Sequence, residues 1–348
     1  MSAPILDLAP PAPAPAAPAE GTSPRTSPRR QAITWATQTV SVVVSLGALA
    51  ILLRRVDLPA ALRTAAREPW PPLAAAVALN ALATWLRAVR SQAVLNSLGY
   101  RVGRARMAAV QLAGQTLSWV SPAAAGDFVR PYLWRTHDGV PLTPGVVTVL
   151  YERVISFGQL AVIGAACLAP FVVSGAALAA TTVAAAMLLV LPWAVPRLAR
   201  LPEHGSVGRG VRTGWRARLA GAGAQLWRLG GDGRLSLRFT ALTIAVVAAS
   251  GLQIELLSAG VDVDLPIWIA VAAFALSQVI GSASSLPFGL GPADAVLIAL
   301  LTHAGTGPAG ALAITLLTRL TVTLPLGLAG ATAYLWLSRR TTGRWAAG

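Results

Sequence analysis

The chain has 348 residues, of which 55% are hydrophobic and only 12% charged, and its mean hydropathy is +0.63. A soluble domain carries about a quarter charged residues, so this composition excludes an ordinary soluble protein and points to a multi-span membrane protein. The formal charge of +15 comes entirely from Arg, with no Lys. It is concentrated in a few loops, which favours anionic headgroups and a topology signal over nucleic acid. One Cys and three His leave no intramolecular disulfide and little basis for a soft metal site, and no cofactor is expected.

Residues 1–34 are rich in Pro, Ala and Arg and cannot bury a core, so a disordered cytoplasmic tail is expected. Ala48-Leu49-Ala50 resembles a signal cleavage site, but the apolar run starts far from the N-terminus and continues to Leu53, which favours a retained span. A helical span needs about 20 apolar residues. Candidates are 35–53, 70–90, 144–169, 171–195, 238–260 and 309–337, with Trp35, Trp70, Trp193, Trp268 and Trp336 near ends as interfacial anchors. Ala, Leu, Val and Gly dominate, so an all-α membrane protein is expected rather than a barrel.

Two further apolar stretches, 107–136 and 266–303, are interrupted by Pro and Gly at 120–128 and 284–294. Broken helices persist at membrane depth only where protein or a wet cavity covers the freed backbone, so both are expected to be re-entrant pairs. Six full spans plus two re-entrant pairs put three Arg-rich regions on the cytoplasmic side: 87–106, the 197–237 loop and the tail at 339–348. Both termini are then cytoplasmic. The exception is the 54–69 loop, whose Arg54, Arg55, Arg63 and Arg67 would face outward. Within the long loop, Trp215, Leu219, Ala222 and Leu226 recur at helical spacing among arginines. They read as an interfacial amphipathic helix, or else as an Arg-Gly linker.

The polytopic domain, 35–338, contains an internal repeat at an offset of 166 residues. His137 falls on His303, Gly139 on Gly305 and Arg153 on Arg319, while Pro122 with Pro287 and Asp127 with Asp294 match within one residue. The halves are about 107–170 and 266–337. Three crossings separate equivalent points, so the second copy is expected to be inverted, a transporter architecture with its site near the midplane.

Seven ionisable residues fall inside these apolar segments: Asp127, Arg130, Glu152, Arg153, Glu255, Asp294 and Arg319. Each would cost roughly 2.5–3.5 kcal/mol at the centre of a span. They are either inter-helix ties or the wall of a polar cavity, with Gln111, Gln115, Gln159, Gln253 and Gln278 adding polar groups. Adjacent Glu152 and Arg153 point about 100° apart on a helix and cannot be each other's main partner. Pairing within halves, Arg153 with Asp127 and Arg319 with Asp294, is favoured over the crossed scheme. Glu152 has Thr318 at its repeat position and should lean toward Arg319 or Arg130. His137 and His303 read as turn caps. Asp262-Val263-Asp264 resembles the Asp-x-Asp of metal-dependent glycosyltransferases, but Asp264 before Leu265-Pro266 reads as a helix N-cap with Pro near the first helical position, which is the favoured reading.

These residues resemble the flippase-like transmembrane domain of lysylphosphatidylglycerol synthases. The carriers are Gly126-Asp127-Phe128-Val129-Arg130, Val149-Leu150-Tyr151-Glu152-Arg153, the break Leu286-Pro287-Phe288-Gly289-Leu290-Gly291 followed by Asp294, and Leu316-Leu317-Thr318-Arg319. The family usually has Asp where this chain has Ser156, and Glu where it has Asp294. The resemblance, over roughly 35–338, implies movement of an anionic phospholipid or a polyprenyl-phosphate-type lipid between leaflets. Asp127, Arg130, Glu152, Arg153, Asp294 and Arg319 would be substrate-binding. No aminoacyl-transferase domain follows within these residues, so synthase activity is not expected. The alternatives are a lipid-linked glycosyltransferase and a non-transporting membrane scaffold.

Overall fold

Helix length sorts the chain into spans and half-spans. The structure, a computed structural model, describes residues 58–67, 69–120, 126–172, 215–283 and 291–345. In chain order the helices are α1 Leu58–Ala66, α2 Trp70–Ser97, α3 Arg104–Val120, α4 Val129–Asp138, α5 Leu142–Val172, α6 Trp215–Gly231, α7 Gly233–Gly260, α8 Ile267–Ala283, α9 Pro292–Leu301 and α10 Gly307–Trp345. Among the described residues there is no strand. Four stretches are long and apolar enough to cross a membrane: Trp70–Ser97, Leu142–Pro170, Gly233–Gly260 and Pro292–Arg339. The expected spans at 35–53 and nearly all of 171–195, and the centres of both Pro/Gly breaks, lie outside the described residues.

The two interrupted segments form matched helix pairs. α3 and α8 have 17 residues each, and α4 and α9 have 10 each. At 1.5 Å per residue these reach only about 25 and 15 Å, short of the roughly 30 Å hydrocarbon core. α4 leads into α5 through Gly139 at φ 67°, and α9 leads into α10 through Gly305 at φ 97°. Glycine adopts these left-handed angles without a Cβ clash, so the turns rest on the paired glycines and not on His137 or His303.

Local chemistry explains the element ends. Pro71 and Pro72 sit in the first turn of α2, where no intrahelical N–H is needed. Asp232 caps α7 by accepting from the amides of Arg234 and Leu235, both at 3.1 Å. Asp264 is exposed; at the start of α8 the Pro266 carbonyl accepts from the amides of Ile269 and Ala270. Inside α10, Pro325 cannot donate to the carbonyl of Thr321. That carbonyl instead accepts from the Asn80 side chain of α2 at 3.4 Å, so the freed group remains satisfied within the bundle.

Packing is reciprocal between the two halves. α3 lies against α10, and α8 lies against α5. Small residues allow each approach: a Cβ on Gly330 would run into Thr116 and the Leu112 carbonyl, and one on Gly164 would meet Leu276 at 2.8 Å. α7 packs along α2 and α8. One apolar cluster, including Leu95, Met107, Val110, Trp134, Val149 and Leu337, joins α2, α3, α4, α5 and α10. A second, including Ala61, Ile254, Ala270, Leu301 and Ile314, joins α1, α7, α8, α9 and α10. Leu237, Ile244, Leu324 and Leu328 are exposed on the outside, as lipid contact requires.

Three expectations need correction. α2 continues past 90 to Ser97, so Arg87 and Arg90 belong to a spanning helix and not to a cytoplasmic loop. Residues 58–66 of the expected 54–69 loop are helical. In α6, Ala222, Leu226 and Leu229 pack on a cluster with Tyr151, Leu235 and Phe239, so this face covers the bundle, while Trp227 is exposed. Replacing Gly330 by Leu should destabilise the protein by about 1–3 kcal/mol through overpacking. Gly327→Leu, where an added Cβ meets nothing within 4 Å, should leave unfolding in micelles unchanged.

Candidate functional site

A bundle that buries charge must supply countercharge, and the helices converge on such a place. A cavity of about 690 Å³ is lined by residues of α2, α3, α4, α5, α7, α8, α9 and α10 and by the turn entering α4. Asp127, Arg130, Glu152, Arg153, Asp294 and Arg319 all line it. Glu255 does not, nor does Gln159, which donates to Thr240 at 2.8 Å. Gln111, Gln115, Gln253 and Gln278 do.

Three ion pairs organise the walls. Arg153 Nε donates to Asp127 Oδ2 at 3.1 Å. Arg319 donates to Asp294 Oδ1 from Nε at 2.9 Å and from Nη2 at 2.7 Å. Arg130 Nη2 donates to Glu152 Oε2 at 2.9 Å and to Ser91 Oγ at 2.6 Å. The first two pairs join a residue at or beside the start of α4 or α9 to the following long helix, as pairing within halves requires. Glu152 meets Arg130, one of its two expected partners.

The acids are held by their local backbone. Asp127 also accepts from Ser118 at 2.8 Å. Asp294 is at the third position of α9, and its Oδ2 accepts from the amide of Gly291 at 3.4 Å, where a helix N-terminus favours negative charge.

The pairs differ in depth. The Arg153 side chain is 40% exposed and Arg319 31%, whereas Arg130 and Glu152 are 5% and 6% exposed. Gly114 makes room for the Arg130 stem, since a Cβ there would collide with its Cγ and Cδ. The Arg130 guanidinium also lies 5.2 Å from the centroid of the buried Trp134 ring. At the repeat positions the second half has Thr318 for Glu152 and, in the register that aligns Asp127 with Asp294, Leu297 for Arg130, so the deep pair has no counterpart there.

Sequence reasoning missed Arg87 and Arg90 as lining residues. Arg90 Nη1 donates to Thr243 at 3.1 Å, and its guanidinium lies 4.7 Å from the Phe239 centroid. The available signal was a polar stripe on α2, Asn80, Thr84, Arg87 and Ser91, spaced by four, three and four residues. Ending the span at the first arginine concealed it.

Residues 38–330 match the model of the family described as the lysylphosphatidylglycerol synthase TM region, and the match includes all six expected site residues. The chain belongs to that family. As a member of the lysylphosphatidylglycerol synthase TM family with several long apolar helices, it is a multi-pass membrane protein. It is also 30% identical over 121 residues to Glycosyltransferase AglD of Haloferax volcanii, covering 34% of this chain and 19% of that protein. The chain thus spans less than a fifth of that relative's length. Asp262 and Asp264 are exposed and lie outside the cavity lining.

Removing one member of the buried pair leaves an uncompensated charge, so Arg130→Met should cost about 3–5 kcal/mol. The double variant Arg130→Met/Glu152→Met should recover most of that loss in the same unfolding assay.

Proposed function

We propose that the protein is a lipid translocase that moves an anionic phospholipid or lipid-linked phosphate between leaflets of the cytoplasmic membrane. The observation carrying this reading is a cavity lined by eight charged side chains within a bundle that exposes large apolar residues on its outside. The physical obstacle to lipid transfer is the cost of moving a charged headgroup through hydrocarbon. Arginines on a polar wall lower that cost, because the planar guanidinium stays charged and donates in pairs to phosphate oxygens. The partial exposure of Arg153 and Arg319 makes them accessible to a headgroup, whereas the Arg130–Glu152 pair holds the deep wall.

The proposed architecture has six spans, two re-entrant pairs and an inverted repeat. Its support is the equal helix lengths, the left-handed Gly139 and Gly305, the reciprocal contacts of α3 with α10 and α8 with α5, and the close approaches at Gly164 and Gly330, also 166 residues apart. With the native Cys167 replaced by Ser, cysteines at Pro141 and His303 test the inversion, both positions being exposed. Pro141→Cys should react with an impermeant thiol reagent from the cytoplasmic side and His303→Cys from the opposite side. Reaction of both from one side would remove the inverted repeat.

A second reading, a lipid-linked glycosyltransferase using Asp262 and Asp264 with a metal, draws on the partial identity to Glycosyltransferase AglD. The two readings separate in reconstituted vesicles carrying fluorescent lipids. Translocation should fall about tenfold in Arg153→Ala, the loss of roughly one charge-assisted hydrogen bond, and should persist in Asp264→Asn. Sugar transfer lost in Asp264→Asn and retained in Arg153→Ala would establish the enzyme instead. Unchanged lipid distribution with every labelled lipid would leave a scaffold.

A further inference from the structure

The charges of the described cavity wall do not balance. Asp127, Glu152 and Asp294 each hold one arginine, respectively Arg153, Arg130 and Arg319. Arg87 and Arg90 line the same cavity, about one helical turn apart on α2. Among the described residues neither forms an ion pair. Arg90 rests on neutral groups, the Thr243 hydroxyl and the Phe239 ring, and its buried Nε has no hydrogen-bond partner. Glu152 attracts Arg90, but Arg130 repels it, and Arg87 and Arg90 repel each other. Five arginines facing three carboxylates leave a surplus of two positive charges.

We propose that Arg87 and Arg90 form the seat of a phosphomonoester dianion, carried on a lipid or free as inorganic phosphate. A dianion cancels the surplus, whereas the single charge of a phosphodiester leaves one guanidinium uncompensated. Two guanidinium forks on one helix face can bind separate oxygens of the same phosphate. Gln111, Gln115 and Thr243 in the same wall offer further polar contacts. Exposed Val154 and Phe157 also line the cavity, giving an acyl chain apolar surface in the same wall. The proposal sharpens the translocase reading by naming the headgroup chemistry, and for a lipid ligand it rests on that reading.

The test uses the full chain in phosphatidylcholine nanodiscs doped with either phosphatidic acid, a phosphomonoester, or phosphatidylglycerol, a phosphodiester. Lipid retained after extraction is quantified at pH 8 and pH 5. A phosphomonoester gains its second charge near pH 6. Phosphatidic acid should therefore be retained about tenfold over phosphatidylglycerol at pH 8, with the preference largely lost at pH 5. Arg87→Gln and Arg90→Gln should each reduce that preference about tenfold, while Arg63→Gln on α1, outside the lining, should not. Equal retention of the two lipids, or a preference unchanged in both cavity variants, overturns the seat. If the variants do not fold, the wild-type comparison between the two pH values decides alone, and a pH-independent preference is the refuting result. Displacement of phosphatidic acid by excess inorganic phosphate would show that the seat reads the phosphate group itself. Preference without displacement would show that the lipid is the ligand. Transfer between leaflets is measured separately: preference without transfer retains the seat and removes the translocase, and unchanged transfer with both arginines substituted does the reverse.

Discussion

A guanidinium cannot be neutralised cheaply by giving up its proton, so an arginine inside a membrane bundle must be surrounded by groups that accept its charge. This constraint accounts for much of the interior. Asp127 and Asp294 stand at or beside the starts of short helices and face the long helices that carry Arg153 and Arg319. Gly114 is small because the Arg130 stem crosses it, and Trp134 is buried where its ring faces the same guanidinium. The interrupted helices serve the same end. α3 and α8 are each followed by a short helix whose start holds Asp127 or Asp294 at the cavity wall.

Backbone satisfaction is the second requirement, and it is met by the side chains that line or flank the cavity. The carbonyl released by Pro325 takes a hydrogen bond from Asn80, and the Leu326 carbonyl takes one from Thr116. Gln253 donates to the Thr321 hydroxyl at 3.1 Å on the same stretch of α10. Polar residues of α2, α3 and α7 thus stitch the middle of α10 to its neighbours. Removing them would expose main-chain groups as well as alter the wall.

Much of this was legible in the sequence because full charges are rare in apolar runs and helical geometry restricts their partners. The adjacency of Glu152 and Arg153 was enough to rule out their mutual pairing and send each to a separate partner. The Pro and Gly breaks identified the half-length helices for a similar reason, since few other features interrupt an apolar run so abruptly. What was not legible concerned continuity and contact. Arg87 and Arg90 looked like the start of a loop because charge ordinarily ends a span, and only the cavity across from α2 explains why the helix continues through them. Gly164 and Gly330 share the repeat offset, yet a glycine in an apolar helix says nothing by itself about which helix approaches. The helical face of α6 was readable, but its destination against Tyr151 and Phe239 depended on the tertiary fold.

The three interior ion pairs join residues 26, 25 and 22 positions apart, each within one half of the chain. This locality bears on biosynthesis. As the polypeptide enters the bilayer from its N-terminal end, Asp127 and Arg130 precede Arg153 and Glu152 by about the length of one helical hairpin. Each charge can therefore meet its countercharge as that hairpin forms, without waiting for a distant segment to be made. The second half repeats the arrangement with Asp294 and Arg319. A closure over so few residues also carries a small entropic cost. The three ion pairs can thus close in two self-neutralising instalments during insertion, and the halves come together afterwards through small-residue contacts and hydrogen bonds such as that of Thr116 with the Leu326 carbonyl.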